Sequence, residues 1–339
     1  MEVFTDGWIG QIRKKHGQRQ ELRTYLYLLA TKDEYQTTRT EIENWINGLP
    51  EIIRSKVILR LRSSKNHIQT YNELAIGSVL KQLGYQLEYE KPLSGHTPDW
   101  YVHPKGDIPA FIVEVFTANP SNEWTAQRRQ KIDLVKRLEQ IPIDVTMNIR
   151  FRGNIALDQH QNKIIATKIR KWLEDDNPPV GTQISLTGII FKITYRGRGF
   201  PHVTLAFSDI FWVNSKSLRE KIKDKIDNYK DLLQEVRIPF VISIVPNPLT
   251  GLEQDNFIDV LFGQEIINLA VDKASGIIAG QRSERNSNGL FLIGPSLSAA
   301  IWSWKSQGNW NFKAAHNTNA THPLPLDTFV LWIKSQLSG

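Results

Sequence analysis

The fold of this chain is decided by residues 71–117, whose sequence is YNELAIGSVLKQLGYQLEYEKPLSGHTPDWYVHPKGDIPAFIVEVFT. Apolar residues at helical spacing predict a helix from Asn72 to Leu83, and Gly84 follows as a helix-stop signal. Three strand-like segments come next, and short turns separate them: 86–90, 99–103 and 110–117. We therefore expect a helix followed by a three-strand meander.

Three carboxylates are placed along this stretch. Glu73 lies on the helix, Asp99 opens the second strand directly after Pro98, and Glu114 lies inside the third strand. A charge in the apolar run FIVEVF costs several kcal/mol to bury unless a partner compensates it. A divalent cation such as Mg²⁺, which prefers carboxylate oxygens, is one such partner. A lysine or arginine is the other, and Asp99 taken singly is also suited to capping a turn.

The order of these motifs resembles the core of the PD-(D/E)XK nuclease superfamily: a helical Glu, then Pro-Asp, then an apolar strand that carries Glu. The resemblance implies an α/β fold with a restriction-endonuclease-like core, in which helices flank a central mixed β-sheet. It also implies that Asp99 and Glu114 bind Mg²⁺ (or Mn²⁺) and that Glu73 holds a second ion or a metal-bound water. The family pattern has a lysine two residues after the strand glutamate, and this chain has Phe116 there.

A cation must therefore come from another segment, or the site is inactive. Helices predicted over 124–140 and 217–236 both carry lysines. Residues 218–230, LREKIKDKIDNYK, precede the strand IPFVISIVP. This arrangement resembles a poorly characterised group of restriction-endonuclease-like proteins that also end in a Ser-Ala strand and an HNxxA…PLP loop. The resemblance favours Lys225 as the replacement cation, and a solvated helix face is the alternative for that residue.

The rest of the chain predicts alternating helices and strands, which is typical of an α/β protein. Helices are expected at 9–29, 39–46, 124–140, 159–173, 217–236 and 255–262, and strands at 143–151, 183–195, 202–207, 239–245, 289–293 and 297–304. We assign residues 1–68 to a helical N-terminal region. Residues 69–339 form the nuclease-like domain, with an inserted α/β segment at about 143–210.

Composition excludes several other classes of protein. The 339 residues contain no cysteine, which rules out disulfides, thiolate zinc sites and a cysteine nucleophile. No phosphate-binding P-loop and no HExxH zinc motif is present. The N-terminus lacks the apolar segment of a secretory signal, and no apolar run is long enough to cross a bilayer. We therefore expect a cytoplasmic protein without a membrane partner.

The charge balance fits a partner rich in phosphate. The chain has 42 Lys and Arg against 35 Asp and Glu, a net charge of +7. Arg128, Arg129 and Lys131 lie on a basic helix and are candidate DNA contacts. Residues 1–72 carry 12 basic and 8 acidic residues, which suits either a helical cap with a solvated basic face or an arm that binds nucleic acid or a partner.

The resemblance thus implies a metal-dependent endonuclease, a hydrolase of DNA phosphodiester bonds that acts in defence or mobile-element turnover. A homodimer would suit cleavage of both strands. The alternative is a catalytically degenerate nuclease-fold protein that binds nucleic acid or a protein partner.

Overall fold

The computed structural model describes residues 2–16, 25–120, 122–151, 155–197, 202–205, 215–247, 250, 252–271, 278–306 and 308–329. Parts of two predicted elements, 17–24 and 206–207, lie outside these ranges. The chain forms two compact units: Met1–Asn119 together with Trp212–Gly339, and Pro120–Phe211. The second unit begins at Pro120, whereas the sequence placed the start of the insertion at about residue 143.

The first unit is built on a six-stranded mixed sheet. Its strands, in the order in which they lie side by side, are β1 (Leu87–Tyr89), β2 (Trp100–Val102), β3 (Phe111–Ala118), β8 (Phe240–Pro246), β11 (Leu297–Ser306) and β12 (Asn309–His316). The meander β1-β2-β3 is antiparallel, β3-β8 and β8-β11 are parallel, and β11-β12 is antiparallel. The α/β fold class and the mixed sheet are thereby confirmed.

The α-helices described in the first unit are named here in sequence order. They are α1 (Asp6–His16), α2 (Tyr25–Thr31), α3 (Gln36–Asn47), α4 (Glu51–Arg62), α5 (His67–Gln82), α8 (Ser215–Asp227), α9 (Lys230–Val236), α10 (Gln254–Phe262) and α11 (Leu290–Ile293). A separate antiparallel pair joins β9 (Glu265–Val271) to β10 (Ile278–Arg285). Among the described residues, no helix is both long and apolar enough to span a bilayer.

Helix α5 packs on the meander because a glycine allows close approach. A Cβ added at Gly77 would lie 2.0 Å from the ring of Trp100, so any larger residue would push β2 away from the helix. The indole Nε1 of Trp100 also donates to the main-chain carbonyl of Glu73 at 2.8 Å. Gly84, with φ of +80°, follows the end of the helix in the left-handed region. The close approach at Gly77 and the hydrogen bond from Trp100 fix the position of Glu73 relative to β2.

The second unit has two layers, one of helices and one of strands. The helices are α6 (Asn122–Glu139) and α7 (Gln159–Asp175). The strands are β4 (Val145–Phe151), β5 (Gln183–Leu186), β6 (Ile189–Arg196) and β7 (His202–Leu205), and they form one sheet in the order β5-β6-β4-β7. The single strand predicted over 183–195 is wrong: Thr187 and Gly188 have φ of 49° and 82° and make the turn of a β5-β6 hairpin.

Two further predictions are corrected. The strand expected over 289–293 is helix α11, in which the N–H of Ile293 donates to the carbonyl of Gly289 at 3.1 Å. A short apolar run does not by itself distinguish a strand from a helix. The helix expected over 217–236 is divided into α8 and α9, and the chain between them holds Tyr229.

The C-terminal motif residues support the sheet. The hydroxyl of Ser298 accepts from the N–H of Phe240 at 2.9 Å and donates to the carbonyl of His322 at 2.6 Å. The buried amide of Asn317 donates to the carbonyls of Leu297 and Phe291 at 2.9 and 3.3 Å. The Ser-Ala strand and the HNxxA loop therefore hold one another in place.

Candidate functional site

Asp99 and Glu114 are positioned by reciprocal hydrogen bonds between β2 and β3. The N–H of Asp99 donates to Glu114 Oε1 at 3.1 Å, and the N–H of Val115 donates to Asp99 Oδ2 at 2.7 Å. Glu114 is only 2% exposed, and most other residues of its strand are buried and apolar. The two acids therefore lie side by side on the face of the sheet that Glu114 occupies.

Lys225 reaches these carboxylates from α8. Its Nζ lies 2.6 Å from Glu114 Oε2 and 4.0 Å from Asp99 Oδ2. It also donates to the carbonyl of Val115 at 3.2 Å, across 110 residues of sequence. The structure thus brings together the two acids predicted as metal ligands and Lys225, the lysine predicted to supply the cation.

Phe116 occupies the position two residues after Glu114, at which the motif resemblance places a lysine. Side chains alternate along a strand, so Phe116 is on the same face as Glu114. Both line an open cavity of about 650 Å³, together with Asp99, Lys225 and Tyr229. The phenyl ring is half-buried and offers no polar atom, and Lys225 supplies the positive charge there from the side of the helix.

Tyr229 is a site residue that the sequence analysis did not identify. Its hydroxyl makes a short hydrogen bond to Glu114 Oε1, the oxygen opposite the one that Lys225 contacts. Its ring centroid lies 5.5 Å from both the His96 and the Phe240 rings, which fix its orientation. The available signal was its spacing of four residues from Lys225, which places both side chains toward the same side of the helix end.

Glu73 lies near the acids but has its own set of partners. Arg60 Nη2 lies 2.8 and 2.6 Å from the two carboxylate oxygens of Glu73, and the Tyr89 hydroxyl donates to Oε2 at 2.6 Å. The amide of Gln69 donates to Oε1 at 3.0 Å and also to the carbonyl of Val115 at 2.8 Å. Gln69 therefore links Glu73 to the strand that carries Glu114.

The charged groups of this cluster shift one another's pKa values. Burial, reinforced by the nearby charges of Glu114 and Glu73, raises the pKa of Asp99 well above the ordinary carboxyl value, and Lys225 offsets only part of this. Burial alone would lower the pKa of Lys225, but Asp99 and Glu114 hold it above its usual value. Asp99 and Glu114 thus carry two negative charges against the single positive charge of Lys225, and an additional cation would be stabilised between them.

The donor set suits a hard cation. Two carboxylates and the Val115 carbonyl converge, and carboxylate and carbonyl oxygens are the ligands that Mg²⁺ and Mn²⁺ prefer. Over the part of the chain that the structure describes, no group of three or more His, Cys, Asp and Glu side chains has the arrangement of a metal site. Protein ligation would therefore rest on two acids and one main-chain oxygen.

The predicted DNA contacts lie in the second unit, on α6. Arg129 is exposed, and the guanidinium of half-buried Arg128 lies 5.9 Å from the ring centroid of Trp124. Lys131 is only 5% exposed, and its ammonium lies 4.7 Å from the ring centroid of Phe151. Of these three residues, Arg129 is therefore the most accessible to a phosphate.

Comparison with known proteins gives no neighbour. The chain matches no protein-family model, no curated protein and no solved structure.

Proposed function

We propose that this chain is a metal-dependent nuclease that hydrolyses DNA phosphodiester bonds and has a restriction-endonuclease-like core. The observation that carries the proposal is the convergence of Asp99, Glu114 and Lys225 around the Val115 carbonyl. Three separate segments of sequence supply these side chains. A pairing made only to neutralise Glu114 would not require Asp99 or an open cavity beside it.

The order of elements supports the proposed core. Helix α5 precedes the β1-β2-β3 meander, and α8 and α9 lead into β8, which lies parallel to β3. This is the sequence of elements that the resemblance to the PD-(D/E)XK superfamily implies. The cavity beside Glu114 opens on the face where α8 delivers Lys225.

Each residue has a role that follows from its chemistry. Asp99, Glu114 and the Val115 carbonyl would hold Mg²⁺ or Mn²⁺. Such an ion polarises a phosphoryl oxygen and lowers the pKa of a bound water. Lys225, with its ammonium inside the same cavity, stabilises the negative charge of the phosphate or orients the attacking water. Tyr229 and Lys225 hold the two oxygens of Glu114 in a fixed direction.

DNA as the substrate is supported by charge. The net charge of +7 favours a polyanion, and exposed Arg129 offers a phosphate contact. Cleavage of both strands would be served by a homodimer, and a role in defence or mobile-element turnover would follow from the family resemblance.

One observation favours a second candidate function. Phe116 stands where the family has a lysine, and the lysine that replaces it is ion-paired to Glu114. A nuclease fold that has lost catalysis would keep this pair as a structural bond and bind nucleic acid or a protein partner without cutting. The two candidates differ in a single measurable property, which is metal-dependent cleavage.

The test is cleavage of supercoiled plasmid and of circular single-stranded DNA with Mg²⁺ or Mn²⁺. We expect the native protein to nick or linearise one of these substrates, and Asp99→Asn to be inactive. Asp107→Asn is the matched control, because Asp107 is an exposed acid in the loop after β2. DNA binding without cleavage by the native protein would establish the degenerate candidate instead.

A further inference from the structure

Glu73 is already fully engaged within the protein. Only 2% exposed, it accepts three hydrogen bonds or ion pairs besides its contact with Gln69: two from Arg60 Nη2 and one from the Tyr89 hydroxyl. A carboxylate oxygen has few remaining lone-pair directions once such donors occupy them. Glu73 therefore has little capacity left to bind a metal ion or to hold a metal-bound water.

Arg60 is itself held in place from a second side. Its Nη1 lies 2.7 Å from Glu90 Oε1 and donates to the Tyr89 hydroxyl at 3.0 Å. Lys56 also pairs with Glu90, at 2.7 Å. Two carboxylates and a phenol thus fix the guanidinium, which remains charged at all accessible pH values. Removing it from Glu73 would leave buried charges unpaired.

A second divalent ion beside Glu73 would also meet this positive charge. The guanidinium contacts both oxygens of Glu73, so an ion bound to them would be within a few ångströms of Arg60. Like charges at such distances repel strongly where water is excluded. The location that a two-ion site would need is therefore already neutralised by a residue of the chain.

We infer that the proposed nuclease site binds one divalent cation, held by Asp99 and Glu114, and that the Arg60–Glu73 pair takes the place of a second. The inference rests on the metal site of the proposed function. It changes the expected role of Glu73 from an ion-binding residue to a positioning residue. Glu73 holds Gln69, and the Gln69 amide holds the Val115 carbonyl at 2.8 Å.

The test counts bound Mn²⁺ by electron paramagnetic resonance and isothermal titration calorimetry. Measurements use the full chain, alone and with a phosphorothioate DNA duplex. Asp99→Asn, measured in parallel with the same duplex, corrects for Mn²⁺ that the DNA retains. We expect one Mn²⁺ per chain in both conditions and no specifically bound Mn²⁺ in Asp99→Asn. Two specifically bound ions per native chain would overturn the inference.

A charge-matched variant separates a ligand from a counter-ion. The double variant Arg60→Met with Glu73→Gln removes both charges together, and replacing a buried ion pair with neutral residues is often tolerated. We expect the folded double variant to bind one Mn²⁺ with an affinity within about tenfold of the native value, the lower limit of an outer-shell effect. Loss of binding in a double variant whose circular dichroism is native would show that Glu73 is a ligand. If the double variant does not fold, the number of Mn²⁺ ions bound per native chain tests the inference by itself.

Failure of the inference and failure of the proposed function give different results. One Mn²⁺ per chain without DNA cleavage would leave the inference standing and overturn the proposed nuclease activity. Two Mn²⁺ ions per chain together with DNA cleavage would overturn the inference and support the proposed nuclease activity. Absence of any specific Mn²⁺ in the native protein would overturn both, because both depend on the Asp99 and Glu114 site.

Discussion

Lys225 Nζ lies 2.6 Å from Glu114 Oε2, and the same ammonium donates to the carbonyl of the next residue, Val115. Helix α8 therefore delivers to the β3 strand the positive charge that the strand itself lacks at Phe116. Because the ammonium contacts a proposed metal ligand without being one, ligand and cation roles at this site can be separated by mutation.

Lys225→Met is expected to reduce the DNA cleavage rate by about 100- to 1000-fold, the usual effect of removing one group that stabilises transition-state charge. Mn²⁺ binding should remain, since both carboxylates and the carbonyl are unchanged. Lys221→Met is the matched control, because Lys221 is an exposed lysine of the same helix that lines the same cavity. Equal loss of activity in both variants would indicate a general effect of charge, and retained activity in Lys225→Met would remove Lys225 from catalysis.

Tyr229→Phe tests whether the orientation of Glu114 matters. The substitution keeps the ring between His96 and Phe240 and removes only the hydroxyl that bonds Glu114 Oε1. We expect Mn²⁺ affinity to fall by about 10- to 100-fold, as for other groups that orient a metal ligand. The melting temperature should change little, since one hydrogen bond contributes about 1 kcal/mol.

The control for this variant is Tyr195→Phe, which removes the hydroxyl of a tyrosine that is 60% exposed in the second unit. Mn²⁺ titration followed by calorimetry measures both proteins. Unchanged Mn²⁺ affinity in Tyr229→Phe would mean that Glu114 is held adequately by its other contacts.

The acids of this site could be predicted from local sequence and Lys225 from the resemblance of its segment, whereas the partners of Glu73 could not be predicted. The order of Glu73, Asp99 and Glu114 along a helix and a meander fixes which face each acid occupies. The partner of Glu73 is Arg60, on a preceding helix, and nothing in the spacing of charges in α4 distinguishes it from its neighbours. Gln69 was within reach, because it lies one helical turn before Glu73 on the same face.

The same contrast applies to the fold. The buried run of β3 predicted a central strand, and its parallel partner β8 was expected from a similar apolar run. The strands β10 and β12 were missed because they are rich in polar residues, including Arg282, Arg285 and Lys313, whereas β9 was missed although its sequence, EIINLAV, is mostly apolar. The split between α8 and α9 at Tyr229 was missed because charged residues continue through it without a proline or glycine.

Asp99→Asn is expected to stabilise the fold while abolishing cleavage. Burial among Glu114 and Glu73 raises the pKa of Asp99, so the native state binds a proton at pH values where the unfolded chain has released it. The free energy of unfolding must then fall as pH rises from the ordinary carboxyl pKa to the raised value. At neutral pH the amide removes this cost, and we expect a gain of about 0.5–2 kcal/mol.

Chemical denaturation at several pH values measures this effect. The advantage of Asp99→Asn over the native protein should grow as pH rises through that window and then remain constant. Adding Mn²⁺ should raise the melting temperature of the native protein but not that of Asp99→Asn, because a ligand that binds the folded state stabilises it. A variant less stable than the native protein at neutral pH would show that charged Asp99 is not destabilising.

Asn317→Ala tests whether the C-terminal loop motif is structural. The Asn317 amide is 4% exposed, donates to the carbonyls of Leu297 and Phe291, and its Oδ1 accepts from the N–H of Asn319. Alanine removes the amide that these two buried carbonyls accept from, and an unsatisfied buried group costs about 1–3 kcal/mol. We therefore expect the free energy of unfolding to fall by at least about 2 kcal/mol, since more than one group is affected.

The number of Mn²⁺ ions bound by the folded fraction of Asn317→Ala should not change. Asn319→Ala, at an exposed residue of the same loop, should be near neutral in stability. Loss of Mn²⁺ binding in a folded Asn317→Ala protein would instead connect this loop to the Asp99 and Glu114 site.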